Sequence, residues 1–405
     1  MKINFKSYLN EKHQLTHLEH LEDLVFIEGI KGAKKSLEYL KNITDDIASH
    51  DTQMVVQQKV DGAPSIIAGW SPEDNRFFVG TKSFFNKTPK INYSPEDVDK
   101  NHGHSDGLSK KLKEALKYLP KVVKKGQILQ GDFMFSADDI KSETIDGVKV
   151  ITFTPNTITY AVPKDTPLYK TISGAKIGVI WHTSYSGNTL DSLNGSFKIS
   201  NSQINQTNEV YSRTTNTDLD EIGWNAGEEK IIENDIKNLE NDLKGFDKKQ
   251  VDEIVKNNKL SLIIRTYINQ KVRDGVNRFN KNEIKGLIDY IKVRYQKDID
   301  KLKSEKGKNK KMLEMQEFID NLRDYASTLY HLFDWSYRVQ HIKIFIIDKL
   351  QELNSPETPY IRQGDGSYQI TDPEGFVLSD VKNNSGIKMV NRAVFSKNNF
   401  ERSSF

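Results

Sequence analysis

The sequence predicts an α+β protein whose β-rich body is split by an all-helical insertion. Three observations predict it. Short β-branched and aromatic runs crowd residues 52–200 of a first body segment, 51–227, the apolar period changes to three and four over 228–353, and strand character returns over 354–405. An N-terminal segment, 1–50, reads as helical because HLEHLEDLVFIEGIKGAKKSLEYLKNI sets Leu18, Leu21, Val25 and Ile30 near one face.

Taken in order, QMVVQQK, SIIAGW and RFFVGT read as the first strands, bounded by turn residues. A helix is expected at 108–119, LSKKLKEALKYL, followed by the strands QILQGDFMF, VITFTP and IGVIWHTSY. The Ser-, Asn- and Thr-rich stretch 186–227 reads as loop or linker. Beyond it EEKIIENDIKNLENDLKGF, NEIKGLIDYIKVRYQKDIDKLK and the long run from MLEMQEF to DKLQEL repeat apolar residues at helical spacing, punctuated by Gly245, Gly275 and Gly307. SYQIT, GFVLSD and SGIKMVNRAVF close the body as strands.

Composition bounds the chemistry. A chain of 405 residues with 36% hydrophobic and 28% charged residues is globular, with room for two or three domains. Without cysteine, disulfides, thiolate catalysis and Cys-ligated zinc are excluded. No run of 18 apolar residues is present, so no membrane partner is expected. The N-terminus lacks an apolar signal region, which together with the absence of cysteine points to a reducing cytoplasm. Neither GxxxxGK[ST] nor GxGxxG occurs, which gives no support to a P-loop or a Rossmann site.

The most informative stretch is QQKVDGAPSIIAGW, which sets Lys59, Asp61 and Gly62 between two strands. A lysine at a strand end before a tight Asp-Gly turn can present its amine into a cleft, and burial or nearby cations would ready it as a nucleophile. Downstream, in order, come GTKSFFNK (80–87), ILQGDFMF (128–135), GVIWHTSY (178–185), EGFVLSD (374–380) and GIKMVNRAVFSK (386–397).

With these motifs the chain resembles the covalent nucleotidyltransferase superfamily, which includes ATP-dependent RNA and DNA ligases and mRNA capping guanylyltransferases. The resemblance implies an antiparallel-sheet, ATP-grasp-like ligase-adenylation body. It implies an ATP-dependent polynucleotide ligase, RNA favoured over DNA as the nucleic-acid partner, with ATP and Mg²⁺ as cofactors. A GTP-using capping-type enzyme, a DNA ligase and a catalytically inactive ligase-like binding module stay open as alternatives. By resemblance, Lys59 attacks the α-phosphate and forms a lysyl–AMP bond, and Asp61 helps position it beside Gly62. Lys82, or Asn86 near it, contacts the ribose or the acceptor phosphate. Asp132, where the family usually has Glu, binds the ribose hydroxyl or Mg²⁺. Trp181 stacks on the base. Glu374 neutralises lysine charge or holds the metal, and Lys388 grips the α-phosphate.

The sequence departs from the family in three places. Ala63-Pro64-Ser65 stands where many ligases have Arg after KxDG. Val390 interrupts the usual KxK, leaving Arg392 or Lys397 to supply the second charge. The sequence stops about 17 residues past Lys388, too short for an OB domain, which favours an RNA-ligase-like architecture with the helical insertion as the substrate- or partner-binding element.

Other candidates are weaker. His13, His17 and His20 align on a helix face as a possible metal site or a plain polar face, and His102 and His104 lie in what reads as a loop. The formal net charge is only +3, but lysines gather at 110–125 and 300–311, either for phosphate contact or as solvated helix faces.

Overall fold

The computed structural model describes residues 18–50, 53–276, 283–353, 357–362, 366–371, 374–380, 382 and 385–392. His13, His17 and Lys397 lie outside the described residues.

Along the chain, α1 (Leu24–Ser49) precedes three strands, β1 (Met54–Gln58), β2 (Ser65–Trp70) and β3 (Phe77–Gly80). Two helices, α2 (Pro95–His102) and α3 (Asp106–Tyr118), lead to β4 (Ile128–Ser136), β5 (Lys141–Ile145), β6 (Val148–Phe153) and β7 (Thr159–Pro163). Helix α4 (Pro167–Gly174) comes before β8 (Ile177–Ser186), β9 (Asn194–Ser196), β10 (Val210–Thr214) and β11 (Asn216–Thr217). Six helices follow: α5 (Ala226–Lys244), α6 (Lys248–Lys256), α7 (Asn258–Arg273), α8 (Glu283–Asp300), α9 (Glu305–Asp324) and α10 (Ala326–Leu350). The last strands are β12 (Thr358–Arg362), β13 (Tyr368–Ile370), β14 (Phe376–Asp380) and β15 (Ser385–Met389). The region expected to be loop at 186–227 thus carries three short strands, and the loop expected around His102 is the end of α2. That helix begins in a capping box, where Ser94 and Asp97 satisfy each other's backbone N–H, with Pro95 in the first turn.

Among the described residues, Leu18, 55–218 and those of 353–386 form the first of two units. Its three sheets run β10-β8-β4-β2-β3, with β9 also on β8; β13-β12-β7-β6-β5; and β11-β1-β14-β15. Pairing in the first two sheets is antiparallel except for β10, which runs parallel to β8. One face of the largest sheet is sealed by α3: Leu112 and Ala115 pack with Ile66, Ala68, Leu129, Phe133, Val179 and Trp181. The opposite face carries Gln130 and Asp132, because side chains alternate along β4.

Register between β4 and β8 slips twice. Gln130 faces Thr183 but Gly131 faces Trp181, so His182 is an extra, bulged residue on β8. Gly131 belongs there because a Cβ would stand 2.3 Å from the Ile180 carbonyl oxygen. The slip flips the faces of β8. Ile177, Val179 and Trp181 go to the α3 side, whereas Tyr185 packs with Ile67 and Ile128 on the other.

The second unit comprises the described residues of 19–54, 219–352 and 387–392. The N-terminal helix therefore folds with the insertion: α1 packs on α5, α6 and α10. Leu40, Ile43, Leu239, Leu332, Phe333 and Val339 are fully buried. Trp335 is buried among them and donates its indole N–H to the Leu239 carbonyl at 3.2 Å. Beside this core lies a buried charge network. Lys343 reaches both Glu22 oxygens at 2.7 and 2.8 Å, and Arg392 reaches Asp23 at 2.9 Å and Glu22 at 3.4 Å, with a further contact to Asn269. Arg392 is thus consumed inside the helical unit and is not the spare cation expected for the last motif. Among the described residues no helix is long and apolar enough to cross a membrane.

Candidate active site

The lysine of KxDG ends β1 and sits beside the residue that precedes β14. Its backbone N–H donates to the Gly375 carbonyl at 2.8 Å, and its ammonium is ion-paired with the Glu374 carboxylate. The Lys59 side chain is 31% exposed against 5% for Glu374, so the lysine keeps contact with solvent while its carboxylate partner is buried. Sequence order gave both residues; neighbouring strands bring them together.

The turn after Lys59 is fixed by Asp61. Its carboxylate accepts from the Asn156 amide at 2.7 Å and from the N–H groups of Thr157 and Ile158 at 2.7 and 2.8 Å. Its own N–H donates to the Tyr160 hydroxyl at 2.7 Å. All these partners lie in and around the β6–β7 turn. The Asp61 carboxylate is therefore committed to holding that turn, and it positions Lys59 through the backbone instead of by touching the amine. Gly62 follows for a steric reason: a Cβ there would stand 2.4 Å from the Asp132 Cβ and 3.0 Å from the Met134 sulfur. The turn lies directly on β4, and the Ala63–Pro64 peptide is cis.

Asp132 pairs in register with Ser65 on the open face of the large sheet. Burial pushes its carboxyl up to about 7; Lys59 and Lys82 pull it down, while Glu374 and Asp61 push it up. These five charged groups therefore share one electrostatic neighbourhood. Lys82 opens the helical turn Lys82–Phe85 after β3, begun by the Thr81 side chain accepting from the Ser83 N–H. Asn86 ends the same turn and is exposed.

One expected contact falls elsewhere. Trp181 is fully buried in the α3-side core and donates its indole N–H to Ser212 at 2.8 Å. With both ring faces packed it has none to offer a base, a consequence of the bulge one residue on. The Lys388 backbone N–H donates to the Glu19 carbonyl at 2.9 Å and its strand bridges to His20. The lysines of 110–125 are held locally: Lys113 on Asp99 at 2.7 Å, Lys111 on the Ala63 carbonyl at 3.2 Å, Lys124 on the Ser202 carbonyl at 2.9 Å, Lys125 over Trp70 at 5.7 Å. That is a paired, solvated face more than a phosphate track.

One residue that sequence reasoning passed over joins the cluster. Burial holds the His182 imidazole down at about 4, helped by Lys59 and then Lys82. The bulge that places it leaves no mark in the strand's alternation.

As for a metal, among the described residues no group of three or more His, Asp or Glu could hold an ion. Asp132 and Glu374 offer two hard oxygen donors, which fits an ion shared with substrate phosphates and not a protein cage.

The chain belongs to the family of unknown function DUF6267, whose model matches residues 11–404. No curated protein and no solved structure matches it.

Proposed function

We propose that this chain is an ATP-dependent polynucleotide ligase, favouring RNA over DNA, that works through a covalent lysyl-AMP on Lys59. The observation that carries the reading is convergence. Lys59, Lys82, Asp132 and Glu374 come from four separate motifs, and the fold gathers them in one electrostatic neighbourhood.

In this reading the neutral Lys59 amine attacks the α-phosphorus of ATP. A nitrogen–phosphorus bond forms, the bond to the bridging oxygen breaks, and pyrophosphate leaves. AMP then passes to a 5′-phosphate end, and a 3′-hydroxyl displaces it. Glu374 holds the amine in place before attack, and Lys82 balances charge on the phosphates. Mg²⁺, held by Asp132 and Glu374 together with substrate oxygens, would neutralise phosphate charge. The nucleotidyltransferase fold of the first unit, the nucleic-acid partner and a cytoplasmic setting belong to the same proposal.

The test is direct. Incubation with Mg²⁺ and ATP labelled at the α-phosphate gives an acid-resistant labelled band, and Lys59→Ala gives none. Label from GTP but not ATP moves the assignment to a capping-type enzyme. Absence of label from both sinks the catalytic reading and leaves the inactive binding module.

A further inference from the structure

We propose that His182 is a further catalytic residue of this site, donating its Nε2–H to an α-phosphoryl oxygen as Lys59 attacks. The inference rests on the nucleotidyl-transfer reading above and adds a group that reading does not use.

Geometry carries it. His182 is the extra residue of the β4–β8 bulge, between Trp181 in the core and Thr183 opposite Gln130. Bulges re-aim side chains, and this one turns an imidazole toward the face that bears Asp132. Nδ1 is tied to the Thr183 hydroxyl at 2.8 Å, while Nε2 has no hydrogen-bond partner among the described residues. Thr183 is buried and its hydroxyl has no other partner among the described residues, so it donates to Nδ1. That fixes the tautomer with hydrogen on Nε2. The His182 carbonyl accepts from the Gln57 amide at 2.7 Å, which ties the bulge to β1 just ahead of Lys59.

The groups facing the ring agree with a phosphate contact. Lys59 and Lys82 act on it electrostatically, and both are assigned to phosphate, with Asp132 and Glu374 in the same neighbourhood. Burial, helped by the two cations, keeps the imidazole neutral, so it offers a donor without adding a third positive charge to the site. Once the α-phosphoryl takes on charge, a fixed N–H aimed at it stabilises the transition state more than the ground state.

The experiment is single-turnover labelling of Lys59 with α-labelled ATP, paired with calorimetric binding of α,β-methylene-ATP, on folded protein checked by thermal melting. His182→Ala is expected to slow labelling roughly 10²-fold with nucleotide affinity within about threefold of wild type. His182→Gln, whose amide N–H reaches the Nε2 position, recovers about tenfold of that loss. His182→Asn, which reaches only the Nδ1 position, does not. Labelling of His182→Ala within threefold of wild type overturns the proposal, as does equal rescue by Gln and Asn. Wild type that takes no label from any nucleoside triphosphate overturns the parent reading and this one with it. Wild type that labels while His182→Ala labels equally well overturns this one alone.

Discussion

Asp132 shows how much one buried carboxyl can report. Its proton is held up to about 7 in the fold, against 3.8 for the exposed group. Between those values the native state binds a proton that the unfolded chain has released. Stability from this residue therefore falls as pH rises from about 4 to about 7 and then levels off. Asp132→Asn removes the dependence. Each tenfold in proton affinity is worth about 1.4 kcal/mol, and the half-open cleft screens part of it. The variant should gain about 1–2 kcal/mol over wild type at pH 8 relative to pH 5. Urea melts at both pH values without added Mg²⁺ measure this, and a pH-independent difference would show that the carboxyl titrates normally. The same substitution should slow labelling of Lys59, since it removes one of two carboxylates from the site. Gaining stability while losing activity is what a strained functional residue does.

At the level of elements the bulge on β8 decides which residues can act. Strict alternation would put Trp181, Thr183 and Tyr185 on one face; the extra residue sends Trp181 inward and leaves His182 as the side chain re-aimed at the cleft. Trp181→Phe should cost about 1–3 kcal/mol, from the lost bond to Ser212 and a partly filled void. Nucleotide affinity of the folded variant should not change. A tenfold loss of affinity with the fold intact would mean that the indole touches the nucleotide after all. Nine of the strands and the longest helices of 226–350 were legible in the sequence because their apolar periods are 2 and 3.6 and their ends carry turn residues, whereas β5, β7, β10 and β12 and the helices α6 and α7 were not. Lys59 and Glu374 were legible because each stands in a short motif beside a strand end, whereas Asp132, expected at a strand end, lies in the middle of β4. His182 was not, because a one-residue slip changes hydrogen bonding without changing composition. Nor was the true task of Asp61, whose partners Asn156, Thr157 and Ile158 lie almost a hundred residues on. Short strands such as β9 and β11 escaped because they are polar and rest on neighbours, not on their own pattern.

Across the whole molecule, the described residues of the helical unit come from three separated segments, so it does not close until distant parts of the chain meet. In the helical unit the meeting point is charged. Glu22 and Asp23 come from the first segment, Lys343 from the second and Arg392 from the third. Burial would raise Glu22, but Lys343, His20 and Arg392 outweigh it and hold the carboxyl down at about 2. Burial wins at Asp23, whose carboxyl is raised despite Arg392. Two buried acids facing two buried cations balance only as a set, and removing one partner leaves a charge that water cannot reach. Arg392→Ala should therefore cost about 3–5 kcal/mol in chemical denaturation at neutral pH. Adding Asp23→Asn to that variant should return part of the loss, since the stranded carboxylate is gone. An Arg392→Ala cost below about 0.5 kcal/mol would place the closing energy of this unit in its apolar core alone. A cost near the expected value, partly rescued by Asp23→Asn, would mean that the third segment is tied in mainly by charge. The basic residue that the last motif seemed to offer to a phosphate is then the clasp of the helical unit.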